Sequence, residues 1–131
     1  MRFRRFNRRS EDGQAMTEFA IVLPIFAFLL FGVIQFVILF NNYVTITDAG
    51  RAGARKAAVS RYDSDPESTC KSAVRASAPD LDLSGPRVTC ESTWEPAADV
   101  TVTTRYPYTI DLIGFVLKSG DLVTVTTERV E

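Results

Sequence analysis

Residues 13–40 read GQAMTEFAIVLPIFAFLLFGVIQFVILF, with a carboxylate at Glu18 followed by 22 residues, Phe19 to Phe40, that carry no formal charge. At 1.5 Å per residue a helix over that run spans about 33 Å, enough to cross a hydrocarbon core of about 30 Å. Only Pro24, Gly32 and Gln35 interrupt the apolar composition. The rest of the chain is too short to cover such a helix, so the run reads as a membrane span. Pro24 lacks an N–H and leaves the carbonyl of Ala20 without its helical partner, which predicts a local kink or unwinding.

Upstream of the span lie five arginines, Arg2, Arg4, Arg5, Arg8 and Arg9. Against Glu11 and Asp12 they leave residues 1–13 at +3 and the remainder at −4, although the whole 131-residue chain has a net charge of −1. A basic block confined to one flank of a span faces an anionic membrane surface rather than nucleic acid. Arg51 and Arg55 are the only basic residues in the fifteen positions after Phe40. The excess of positive charge before the span predicts a cytoplasmic N-terminus and an extracytoplasmic remainder in the cell membrane. A cleaved secretory signal has an apolar region of about 7–15 residues ending in small side chains. Here the run is longer and ends in Phe40-Asn41-Asn42. The arginine pairs alone do not make a twin-arginine signal.

Downstream, Asn41 to Tyr62 lacks proline and is rich in alanine, so the helix is expected to continue outward. Asp48 meets Arg51 at i+3 on such a helix. Ala49, Gly50, Ala52, Gly53 and Ala54, with Arg51 and Arg55 between and beside them, form a small-residue stretch that another helix could approach closely. Asp63-Ser64-Asp65-Pro66 is a break and a restart, with Asp65 as cap and Pro66 in the first helical position. Glu67 to Ser77 is then a short helix carrying Cys70, Ala73 and Val74 toward a core and ending before Pro79.

Three β-prone stretches follow. Arg87 to Glu91 begins the first, and Val100 to Thr104 and Leu122 to Thr127 alternate with the period of two of half-buried strands, expected to pair antiparallel. Pro107, between Tyr106 and Tyr108, weakens the end of the second strand or makes it an edge. Ile110 to Leu117 is apolar and reads as a short helix or a membrane-touching flap. The predicted fold is α+β: a leader over 1–13, a transmembrane and extended helix over 14–62, and a small head over 63–131 with one short helix and about three antiparallel strands.

The chain has no histidine, which removes the commonest general base near neutral pH and the commonest metal ligand. Serines and threonines stand without a visible base, so no catalytic constellation is expected. Asp63, Asp65 and Glu67 lack the spacing of a cation loop and read as turn chemistry. No enzyme activity, metal or cofactor is therefore expected. Cys70 and Cys90 both fall on the extracytoplasmic side, where an oxidising compartment lets them pair. Closing that loop would stabilise the head by about 3 kcal/mol.

Glu18 sits where a spanning helix begins, and a carboxylate there is tolerable if it stays interfacial or finds a positive partner. Gly13 stands at the junction between charged leader and helix, where a protease could reach extended backbone. Cutting after it would create an ammonium at Gln14, four residues from Glu18. Gly13, four intervening residues, then Glu18-Phe19 running into Ala20-Ile21-Val22-Leu23-Pro24 resembles the TadE-like pseudopilins of tight-adherence (Flp-type) pilus systems, a branch of the type IV pilins. Asp48 to Arg55 is similar to that family's small-residue, arginine-bearing helix. Val100 to Tyr108, Ile110 to Leu117 and Val123 to Val130 resemble its C-terminal pattern.

The resemblance implies a prepilin peptidase cutting between Gly13 and Gln14, and Glu18 with Phe19 at the head of a helix that recognises neighbouring subunits. It departs from the family at Gln14, where a small or hydrophobic residue is usual. The implied partners are the peptidase, other pilins and pseudopilins, the assembly machinery and membrane lipid, and the implied destination is the membrane or a surface pilus used in adhesion. The alternative is a monomeric single-span protein with an extracytoplasmic binding head and a merely interfacial Glu18.

Overall fold

A computed structural model describes residues 8–112 and 114–131, and Arg2, Arg4 and Arg5 of the basic leader lie outside the described residues. Helix α1 runs without interruption over Arg8–Ala58 and contains Pro24. It therefore starts before Gly13, and the backbone there is helical rather than extended. Nothing between Arg8 and Ala15 forbids a helix: there is no proline, and one glycine costs only about 1 kcal/mol. At the other end α1 stops at Ala58, four residues short of the expected Tyr62. Ser60 folds back there, its N–H and hydroxyl both donating to the Ala57 carbonyl at 3.1 and 3.0 Å. The Glu131 N–H donates to the Ala58 carbonyl at 2.9 Å, so the chain's last residue satisfies a carbonyl that the helix leaves open.

Two halves of α1 have different surroundings. From Gly13 to Thr45 no side chain is fully buried, and the apolar window of the span has none of its residues covered by protein. From Ile46 onward a buried stripe appears at Ile46, Ala49, Gly50, Gly53, Ala54, Ala57 and Ala58, the three-to-four spacing of one helix face. The outer part of α1 is thus the central core element of the head. By length and composition the inner part can cross a membrane.

Helix α2 spans Pro66–Ser77, with Asp65 accepting from the Ser68 N–H at 3.0 Å and Pro66 at its start. Its capping and its end before Pro79 follow the sequence reading. Cys70 and Val74 are fully buried, and Ala73 is half-buried. A turn of 3-10 helix at Gly85–Arg87 leads into strand β1, Val88–Glu91. In the loop before it Asp82 accepts from the Ser84 backbone N–H at 3.1 Å and pairs with Arg87, and the Ser84 hydrogen bonds with the Arg87 guanidinium hold its carboxyl at about 2.

Strands β2, Asp99–Leu112, and β3, Phe115–Arg129, form a long hairpin, and the antiparallel sheet has the order β1-β2-β3. The α+β architecture agrees with the sequence reading, but both hairpin strands are far longer than the alternating segments. Ile110 to Leu112 and Phe115 to Leu117 are strand, which overturns the helical alternative for that apolar stretch. The physical reason is the cross-strand pairing of Ile110 with Lys118 and Leu112 with Phe115, invisible to local periodicity.

Pro107 does not end β2. β1 pairs with β2 only from Thr101 to Thr104, so Pro107, opposite Asp121, lies in the two-stranded part of the ribbon with an open side. Val100, Val102 and Thr104 face α1 and are fully buried. The register pairs Val102 with Thr126 and Thr104 with Thr124, so β3 turns threonines toward the helix and leaves Val123 and Val125 exposed. The disulfide joins Cys70 of α2 to Cys90 of β1, with a Cα–Cα distance of 6.5 Å and a sequence separation of 20, as expected from the sequence.

Candidate functional site

The residues around the expected cleavage point occupy successive positions on the free, solvent-facing start of α1. The Gln14 side-chain amide donates to Glu18 Oε1 at 3.0 Å, and the Thr17 hydroxyl donates to the Gly13 carbonyl at 2.9 Å. A gap of four residues is one helical turn, which is why Gln14 and Glu18 meet. Among the described residues Glu18 has no other hydrogen-bond partner, and it and Phe19 are exposed. A β-carbon added at Gly13 would meet no atom within 4 Å, and its φ is not in the left-handed region. Packing and backbone geometry therefore do not ask for glycine there. Alanine at that position would favour the helix by about 1 kcal/mol.

The second set of candidates lies some 35 residues along the same helix. A β-carbon at Gly53 would sit 2.2 Å from Val74 Cγ2 and 3.4 Å from the Cys70 carbonyl oxygen, so this glycine is where α2 crosses α1. Gly50 meets a different neighbour. Its added β-carbon would lie 3.4, 3.6 and 3.8 Å from the hydroxyls of Thr126, Thr104 and Thr124, which belong to the sheet. The small-residue stretch thus receives a helix at one glycine and a sheet at the other, both within this chain. Arg51 and Arg55 are exposed on the opposite side, and Arg51 pairs with Asp48 at 3.3 Å as the i,i+3 spacing predicts.

Sequence reasoning passed over two features of this helix. The first is the threonine cluster under Gly50, where Thr124 donates to the Ile46 carbonyl at 3.5 Å and the buried Thr104 hydroxyl has no partner among the described residues. No sequence signal singles out these threonines among the many in the strands. The second is Gln35, whose amide donates to the Asp111 carbonyl at 3.2 Å and to its carboxylate at 3.4 Å. A lone amide in an apolar span was the available clue, since such a group seeks a partner.

One helix therefore carries, in order, the Gly13 to Phe19 cluster, a bare apolar span and a small-residue stripe buried in a head. Residues 13–55 match the family described as TadE-like protein. Over that segment the chain is similar to TadE-like proteins. The TadE-like segment opens at Gly13 itself, contains the whole span, and closes at Arg55. It leaves α2 and the sheet outside the match. No curated protein and no solved structure matches the chain. Among the described residues no group of three or more metal-ligating side chains is found.

Proposed function

We propose that this TadE-like, single-span protein is a minor pilin or pseudopilin of a tight-adherence pilus, a structural subunit rather than an enzyme. In this reading the N-terminus is cytoplasmic and the head extracytoplasmic. A prepilin peptidase removes residues 1–13 by cutting between Gly13 and Gln14, and the freed helix packs among other pilins in the assembly machinery. The observation that carries the reading is Gly13: a helical glycine with open space around it, at the first residue of the TadE-like match. It weakens the helix locally and serves no contact in the fold, as a residue kept for a protease would. Because α1 is helical through that point, the peptidase must unwind a turn to reach the bond, and glycine lowers that cost by about 1 kcal/mol relative to alanine.

Glu18 supports the same reading. It is exposed, bonded only to the Gln14 amide among the described residues, and followed by an uncovered apolar helix. After cleavage the new ammonium at Gln14 would lie one turn away, and the carboxylate would pair with that ammonium or with a neighbouring subunit's.

Two measurements test the proposal. Co-expression with a prepilin peptidase should yield a mature mass lacking residues 1–13, and Gly13→Leu should keep the full mass. An unshifted wild-type mass in cells that cut another prepilin would leave the single-span protein with a binding head as the better reading. Glu18→Ala should insert in the membrane normally, since it removes a charge, and should lower pilus assembly as counted by electron microscopy. Unchanged piliation would contradict the role given to Glu18.

A further inference from the structure

β2 runs back along α1 toward the membrane span. Thr104 faces Gly50 and Asp111 bonds to Gln35, which fixes the alignment at both ends. The fifteen helical steps from Gln35 to Gly50 rise about 22 Å, and the seven strand steps from Thr104 to Asp111 cover about 23 Å. Strand and helix axis are therefore nearly antiparallel, and the hairpin tip must lie beside or below Gln35. Gln35 is six residues inside Asn41, the first polar residue after the apolar run, which is about 9 Å toward the bilayer.

The tip has the composition of an interfacial element. Phe115, Val116 and Leu117 are 77%, 65% and 63% exposed, and none of the described residues of the head covers them. Lys118 follows immediately, opposite Ile110, where a long stem lets an ammonium reach headgroups from below. Tyr108 and Tyr106 stand two and four residues farther from the tip than Ile110, against α1 beside Leu39 and Asn42, at the level where amphipathic aromatic rings gather in a bilayer. Unpaired edge groups of a hairpin are costly in hydrocarbon, so penetration is limited to the boundary between acyl chains and headgroups. The Gln35 amide finds its acceptors in the Asp111 carbonyl and carboxylate, and the exposed Asp111 charge keeps that end of the ribbon within reach of headgroups and water.

We infer that the β2–β3 hairpin tip dips into the head-side leaflet and contacts lipid acyl chains, docking the head against the membrane at the level of Gln35. This rests on α1 spanning the bilayer. It accounts for the length of the hairpin, which projects well past the head core, and for the amide in the span. Lipid, rather than another protein, is the fitting occupant because the tip lies alongside the same uncovered apolar helix that the bilayer surrounds.

The test uses the full chain in phosphatidylcholine vesicles, with an environment-sensitive fluorophore on a single introduced cysteine; Cys70 and Cys90 are bridged and do not react. The probe at Val116→Cys should emit at shorter wavelength than at Val125→Cys on the outer sheet face. It should be quenched by lipids bearing a nitroxide high on the acyl chain and should largely escape iodide in the water. At Phe28→Cys, in the middle of the span, a deep nitroxide should quench most strongly. If Phe28 behaves so and Val116 is quenched by iodide like Val125, the hairpin inference fails while the span stands. A Val116 probe shielded from both lipid and iodide would mean that protein covers the tip, which also overturns it. Loss of lipid quenching at Phe28 would remove the span and the inference together.

Discussion

Gly53→Leu should loosen α2 from α1 and lower the stability of the head by about 1–3 kcal/mol, the usual cost of overpacking a close contact. The first side-chain carbon alone would come within 2.2 Å of Val74 Cγ2. Val74 is fully buried, and a β-branched side chain in a helix has one strongly preferred rotamer, so it cannot swing aside. The Cys70 carbonyl oxygen, 3.4 Å away, closes the other direction with backbone. Gly53→Ala should be milder, because the better helix propensity of alanine returns about 1 kcal/mol. Adding Val74→Ala to Gly53→Ala should recover part of the loss, since it removes the clashing methyl. Gly32→Ala is the control: its added carbon meets nothing within 4 Å, and it should not destabilise. Thermal or urea unfolding of the full chain in micelles measures the series. A Gly53→Leu protein as stable as wild type would mean that α2 does not pack there.

Loss of the Cys70–Cys90 bridge should cost about as much or more. The sequence separation of 20 corresponds to about 3 kcal/mol of denatured-state entropy. A head of this size is expected to be stable by roughly 4–13 kcal/mol, so the bridge supplies a substantial fraction. The effect should be local. α2 is 12 residues long, too short to hold its helix alone in water, and the bridge is its covalent tie to the sheet. Hydrogen exchange on reduced protein, or on Cys70→Ala with Cys90→Ala, should therefore show α2 and β1 losing protection before the β2–β3 ladder. Membrane attachment should persist, because α1 is untouched. Equal protection of α2 with and without the bridge would show that its packing on Gly53 suffices.

The existence of the long helix, its apolar run and the cap of α2 were legible because they depend on neighbours in sequence, whereas the two ends of α1 were not. The charge-free run from Phe19 to Phe40, the Asp65-Pro66 start and the Asp48 to Arg51 pair need only the 3.6-residue period and local hydrogen bonding. The cysteine pair was readable because the chain has two cysteines, both beyond the apolar run, and they are bridged. The proposed cleavage and assembly cluster is local in the same sense: Gly13, Gln14 and Glu18 lie within two turns of one helix.

The sheet was legible only in kind. In Leu122 to Thr127 the alternation of valine and threonine marks a strand but does not say which set faces inward. The pairing with β2 decides it, turning Thr124 inward and leaving Val125 62% exposed, against hydropathy. A register shift between Ile110 and Asp111 changes the pairing again near the tip, and one residue of slip exchanges the two faces of a strand. The partners of Gly50 and Gly53 were equally hidden, because a small residue announces a close approach without naming what approaches.

By itself the sequence determined that this chain has a helix long and apolar enough to span a membrane with an acid at its start, a restart at Asp65-Pro66 and a head of mixed helix and strand. Periodicity, charge and capping are encoded within one or two turns of chain, so no folded structure is needed to read them. Only the tertiary structure decided that the outer part of the helix is the head's core, that threonines line it at Gly50, and that the hairpin returns to Gln35. Those outcomes depend on which distant segments pair and in what register, and that choice is made by the packing of the whole head.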